Sequence, residues 1–203
     1  MPDFDDSLVT AHHAAEHEVE RRGDRSVGSA HVLVGLLAIG GVVVEAVQRA
    51  EPALTVTAAR EALDRDADDL PHLERLGVDP ERVLASAGPP SPGPRPKVRH
   101  FYAAEFQQAM APASAKLARL RKAGDLTHER KPGSAVLWLQ VLEPGTRATQ
   151  LLAAMDVSPD RLREAVLITL TSPGRPIPTW PSMSRPSTAW RLTDAFLRRF
   201  SAR

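Results

Sequence analysis

The strongest constraint on this chain is that part of it is written twice. Val27-Gly-Ser-Ala-His-Val-Leu-Val-Gly-Leu-Leu37 aligns without a gap on Pro132-Gly-Ser-Ala-Val-Leu-Trp-Leu-Gln-Val-Leu142, with Gly-Ser-Ala identical and apolar residues filling most of the positions after it. Before each stretch lies a long helical pattern that stops at a glycine, Gly23 or Gly124. After each comes a glycine-containing turn and another helical pattern, Val42–Arg49 in one copy and Ala148–Met155 in the other. A unit that recurs in this way cannot bury its apolar face alone, whereas two copies stacked on each other can. The pattern predicts an all-α fold of two tandem helical repeats related by pseudo-twofold symmetry.

The individual helices are set by periodicity and punctuation. Over Ser7–Arg22 the apolar residues Leu8, Ala11, Ala15 and Val19 recur at spacings of three and four, as one buried helical face requires. Gly23 is placed to end that helix. Ser29 reads as an N-cap for Ala30–Ile39, and Gly40-Gly41 closes it. Thr55–Asp66 gives another helix, and Leu70–Ala85 a short Leu/Val-rich segment. The one β-branched run, Val42-Val43-Val44, is too short for a strand and sits among helical patterns. In the second copy the stretch from Gly124 to Gly133 is longer than its counterpart. Pro112 is expected to interrupt or start the long helix, setting Phe101–Met110 apart, because proline lacks the amide donor and clashes with the preceding turn.

Proline and charge divide the chain further. Of 18 prolines, many fall in Gly88–Pro96 and in 173–186 (PGRPIPTWPSMSRP), both of which read as extended linkers. The expected organisation is a double helical domain over 1–172 (first repeat 4–67, connection 68–100, second repeat 101–172), a Pro-rich linker 173–186, and a basic amphipathic helix 187–203. The net charge of +1 conceals three blocks: residues 1–87 carry 8 Lys/Arg against 17 Asp/Glu, residues 88–172 carry 12 against 7, and residues 173–203 carry 6 against 1. In the last block Trp190, Phe196, Leu197 and Phe200 share a helical face flanked by Arg191, Arg198 and Arg199, a face suited to a protein partner or to folding back on the acidic first half.

Several chemistries are excluded or disfavoured. With no cysteine there are no disulfides, thiolate metal sites or cysteine nucleophiles, which fits a reducing compartment. No apolar run approaches the roughly 20 residues needed to span a bilayer, and the acidic start (MPDFDDSLV) lacks a signal-peptide pattern; a cytoplasmic protein without a membrane partner is expected. No nucleic-acid-binding motif accompanies the basic residues. His13-Ala-Ala-Glu16-His17 matches an inverted zinc-protease motif, but no third ligand is convincingly placed, so the helix is read as ordinary surface without a metal. His31 comes two residues after Ser29 at a helix start, yet nucleophilic catalysis also needs an orienting acid, and neither G-x-S-x-G nor a Walker A sequence occurs. The expectation is a non-enzyme without a cofactor. Trp138 is read as core.

The duplicated segment resembles the Clp repeat of the N-terminal domains of Clp-type unfoldases, whose pattern is an aromatic start, a long helix, then L-G-H-x-x-[IV]-G-[TS]-E-H-[IL]-L-L-G-L. Phe4, the helix to Arg22 and Gly23-Asp-Arg-Ser-Val-Gly-Ser-Ala-His-Val-Leu-Val-Gly-Leu-Leu37 fit it. Leu151–Leu167 is similar to the family's closing segment. The resemblance covers about residues 4–67 and 101–170. It implies a helical domain that receives peptides, a cyclic-peptide antibiotic, a Clp unfoldase or an adaptor protein, with roles in sequestration or resistance; the Ala/Arg/Pro-rich composition agrees with an actinobacterial source. The ligand-binding residues it implies are Phe4, Ser29, His31, Phe101 and Phe106. The motif glutamate, suited to pairing with a guanidinium, is replaced by Ala30 and Ala135, which argues against phosphoarginine recognition by the family's route. The alternative is a degenerate regulatory or scaffold protein acting through its C-terminal helix.

Overall fold

The helix Ser29–Ile39 is buried along nine of its eleven residues, Ser29 to Leu37. A helix apolar on every side must be surrounded, and the rest of the fold is arranged around it. The computed structural model describes residues 6–66, 101–126 and 133–181. In chain order the helices are α1 (Asp6–Arg22), α2 (Ser29–Ile39), α3 (Val42–Ala50), α4 (Val56–Asp66), α5 (Ala104–Ala123), α6 (Ser134–Val141), α7 (Arg147–Ala154) and α8 (Pro159–Leu170). The fold is all-α. Among the described residues a long helix followed by three shorter ones occurs twice. Helix α2 packs on α1 and α4 of its own half and on α6 and α7 of the other, while α3 packs on α8 and α4 on α7.

Equivalent punctuation ends the two long helices. Gly23 (φ 74°) and Gly124 (φ 76°) both lie in the left-handed region. Asp24 N–H reaches Val19 O at 3.0 Å, and Asp125 N–H reaches Leu120 O at 3.1 Å. Such a 6→1 closure satisfies the carbonyls a helix leaves open at its end, at a residue where glycine has no Cβ penalty. Thr55 caps α4 by accepting Ala58 N–H at 3.1 Å, and Ser158 caps α8 by accepting Arg161 N–H.

The tightest packing occurs between α1 and α2. A Cβ built on Gly35 would lie 2.8 Å from both Ala11 O and Ala15 N, and Ala11 and Ala15 are fully buried. The backbones themselves are in contact, so Gly35→Ala requires the helices to separate. It should lower unfolding stability by about 3 kcal/mol, the upper end of the usual cost of overpacking, read from urea denaturation.

Two expectations are corrected. Helix α5 runs unbroken through Pro112; Phe106, Ala109, Ala113, Leu117 and Leu120 form one buried stripe on both sides of the proline, and burial of that stripe outweighs the roughly 3 kcal/mol cost of an interior proline. Ser29 is not an N-cap but the first helical residue, Gly28 holding the cap position. Beside the helices, the described residues also form two short strands, β1 (Ser26–Val27) and β2 (Phe101–Tyr102), pairing in parallel with Ser26 opposite Phe101 and Val27 opposite Tyr102. Two-residue strands carry no periodicity to detect. The Leu70–Ala85 segment, the 88–96 cluster, Phe4 and the 187–203 helix with Trp190, Phe196, Leu197 and Phe200 lie outside the described residues.

Candidate functional site

The Gly-Ser-Ala-His turn sits where the two halves meet. Glu105, in the first turn of α5, is bonded across a separation of 76 residues: Ser29 N–H donates to its Oε1 at 2.7 Å and the Ser29 hydroxyl to its Oε2 at 2.8 Å. The same Oε2 accepts Arg147 N–H, at the start of α7, at 3.3 Å. Ser29 Oγ in turn accepts Ala148 N–H at 2.9 Å. One carboxylate and one hydroxyl therefore cover open amides at two helix N-termini, where unpaired N–H groups and the helix dipole both favour negative charge. A counterpart runs the other way: Ser134 N–H, at the start of α6, donates to Ser7 Oγ in the first turn of α1 at 3.2 Å. Each half's long helix caps the other half's buried helix.

His31 takes the reach-back position of a capping box, filled by Glu or Gln in most such motifs. Gly28 N–H donates to its Nδ1 at 3.1 Å, so the proton sits on Nε2, which donates to Asp24 Oδ2 at 2.8 Å. Asp24 also accepts Arg22 Nε at 2.8 Å. From Arg22 the network continues to Asp64 at 2.7 Å and Leu63 O at 2.9 Å. Asp64 is shared with Arg21, which bonds the buried Glu18 at 2.9 Å, and Glu18 bonds Arg60 of α4 at 2.8 Å. This chain of charges pins α4 to the end of α1. Burial pushes the Glu18 carboxyl up, but its bonds to Arg60 and Arg21 together hold it below the usual range.

Ser29, His31 and Asp24 are the residue types of a hydrolytic triad, and their bonding is that of a scaffold. Serine chemistry needs a ring nitrogen free to accept the hydroxyl proton. Both nitrogens of His31 are committed, one to Gly28 and the other to Asp24, and the Ser29 hydroxyl points to Glu105. Burial lowers the His31 pKa from its ordinary 6.5, against the opposing pull of Asp24. The native state thus keeps His31 neutral while the unfolded chain takes up a proton below about 6.5. Stability should be flat above pH 7 and fall as the pH drops through that value, by at most about 1.4 kcal/mol at pH 5.5 from this residue. Asp24, also held below its ordinary value, contributes only at lower pH. Urea titrations at pH 7.5 and 5.5 check this; His31→Asn should flatten the difference.

The remaining sequence candidates fall into core, strand and surface positions. Phe106 is fully buried and meets Tyr102 edge-on at 5.2 Å between centroids. Tyr102 hydroxyl bonds His12 Nδ1 at 2.9 Å. Phe101 lies in β2, opposite Ser26 in register. Ser29 is fully buried and His31 nearly so. Trp138 is core, as expected, with an indole N–H that has no partner among the described residues. His13 and His17 are exposed and each pairs with a carboxylate on its own helix, Glu16 and Glu20; no metal-ligating group of three forms among the described residues. Sequence reasoning missed Glu105. Its only signal was an acid at the start of the second long helix, three residues after Tyr102.

A double helical unit, eight helices among the described residues, with crossed capping at its centre defines a class by architecture. No family model and no curated protein matches the chain. Among solved structures it is similar to the N-terminal domain of the caseinolytic protease associated chaperone ClpD from Arabidopsis thaliana, at TM-score 0.54 and 14% identity over 82% of this chain and 93% of that one. The fold is that of a Clp N-terminal domain. No single helix among the described residues is long and apolar enough to cross a membrane.

Proposed function

We propose that this chain is a non-enzymatic binding protein that receives a peptide or protein partner. The observation that carries the reading is the extent of the likeness: 93% of a chaperone's N-terminal domain is matched by 82% of this chain. The partner classes consistent with it are a peptide or cyclic-peptide ligand, a Clp unfoldase or an adaptor protein, with sequestration of a toxic ligand as the finer role. The residues proposed for contact are Phe4, Ser29, His31, Phe101 and Phe106, of which Ser29, His31 and Phe106 are buried.

A second reading is favoured by the burial of those last three residues. If they serve only the fold, the chain acts as a regulatory scaffold through Trp190, Phe196, Leu197 and Phe200. Two measurements separate the readings. A cyclic peptide directed at Clp N-domains should raise the melting temperature under the first reading, because a ligand of the native state stabilises it; no shift at saturation counts against it. Recovery of a Clp unfoldase on the immobilised chain should survive removal of residues 187–203 under the first reading and vanish under the second.

A further inference from the structure

The stretch after α8 was expected to be an extended linker, and as far as Pro181 it contains neither helix nor strand, but it is seated on the second half. The Arg175 guanidinium donates to Gly124 O, at the end of α5. Five residues on, half-buried Trp180 packs against the core and its indole N–H donates to Glu143 Oε1 at 2.8 Å. Glu143 is 2% exposed and forms an ion pair at 2.7 Å with Lys116 of α5, which is 4% exposed. The Lys116 ammonium stands 5.6 Å from the centre of the Trp180 ring, within cation–π range.

Between those anchors the segment spans a space rather than filling one. A cavity of about 320 Å³ lies between residues 177–180 and Asp160, Arg163, Glu164 and Leu167 of α8. Ile177 borders it yet is 42% exposed. Arg163 also lines it and is 9% exposed; its guanidinium bonds Asp160 and Leu142 O, while its Nε–H has no acceptor among the described residues. A buried donor left open is costly, and the backbone carbonyl of a docked peptide is one acceptor that would close it.

We propose that the face made by α5, α8 and the Glu143 turn is a recognition groove for an extended, proline-flanked peptide carrying a tryptophan, and that residues 175–180 occupy it as an intramolecular stand-in. Prolines hold such a segment extended before it docks, which reduces the ordering cost of binding. The carboxylate of Glu143 selects an indole through its N–H, and Lys116 selects the ring face. Two side-chain anchors around an underfilled cavity make the resident segment exchangeable, because local opening is easiest where few buried contacts hold the backbone. The groove is separate from the long-helix starts, so this inference stands whatever binds there.

The test uses a fluorescein-labelled peptide of residues 172–181 and the full chain, wild type and Trp180→Ala, with Trp180→Phe as the variant that keeps the ring should the alanine chain fail to fold. The peptide should bind either variant about tenfold or more tighter than wild type, whose own segment competes, an effect in keeping with loss of a charge-assisted hydrogen bond. Adding Glu143→Gln to the variant should weaken that binding, and the peptide with Trp180→Ala should not bind. Equal binding to wild type and variant, no binding to either variant, or equal binding of a scrambled peptide would each overturn the proposal.

Discussion

Replacing Glu105 by alanine should destabilise the protein by about 2–3 kcal/mol, more than an ordinary cap loss of about 1 kcal/mol. The reason is that one carboxylate serves two helices from different halves. Its removal takes the acceptor from the Ser29 N–H and from the Ser29 hydroxyl, both on a buried residue, and each stranded buried polar group costs about 1–3 kcal/mol; the exposed Arg147 N–H loses a weaker bond. For a chain of this size the melting temperature should fall by roughly 4–12 °C. Glu105→Gln, which keeps one acceptor oxygen, should recover part of the loss. Chemical denaturation of both variants measures the difference, and a Glu105→Ala chain as stable as wild type would show that water replaces the carboxylate at both helix ends.

A comparable effect is expected at the Lys116–Glu143 pair. Breaking a buried ion pair by removing one partner usually costs about 3–5 kcal/mol, because the other charge stays behind in a poorly polarisable interior. Lys116→Ala and Glu143→Ala should each fall in that range. The double change Lys116→Met with Glu143→Leu should return most of it, since paired apolar replacements of similar volume are often neutral. A double-mutant cycle on urea midpoints reads the coupling. If the single variants lost less than about 1 kcal/mol, the pair would have to be treated as a solvated surface bridge.

Much of the helical architecture could be read from residues close together in sequence. The spacing of Leu8, Ala11, Ala15 and Val19, the terminal glycines Gly23 and Gly124, and the recurrent Gly-Ser-Ala all encode local geometry, and the helices form where that geometry puts them. Pro112 misled because propensity is a local quantity, whereas the stripe from Phe106 to Leu120 is stabilised by what it packs against. Ser29 looked like a cap for the same reason: nothing nearby says that a carboxylate 76 residues away will meet the amides it was expected to cover. Lys116 and Glu143 were hidden as ordinary helix-surface and turn charges, since burial of a charge depends on a partner the pattern does not reveal. The resemblance carried by the motif anticipated the fold, and it was silent on how this chain, with alanine at both motif-glutamate positions, would fill the helix ends instead.

The crossed arrangement at Glu105 and Ser7 bears on how the molecule comes apart. Each half takes from the other a group that finishes its own central helix, so either half made by itself would present open amides and an uncovered greasy wall. Unfolding should therefore run as one cooperative event rather than lobe by lobe. Two complementary fragments, mixed as separate polypeptides, should be driven to find each other by the same exchanged hydrogen bonds that hold the intact chain together.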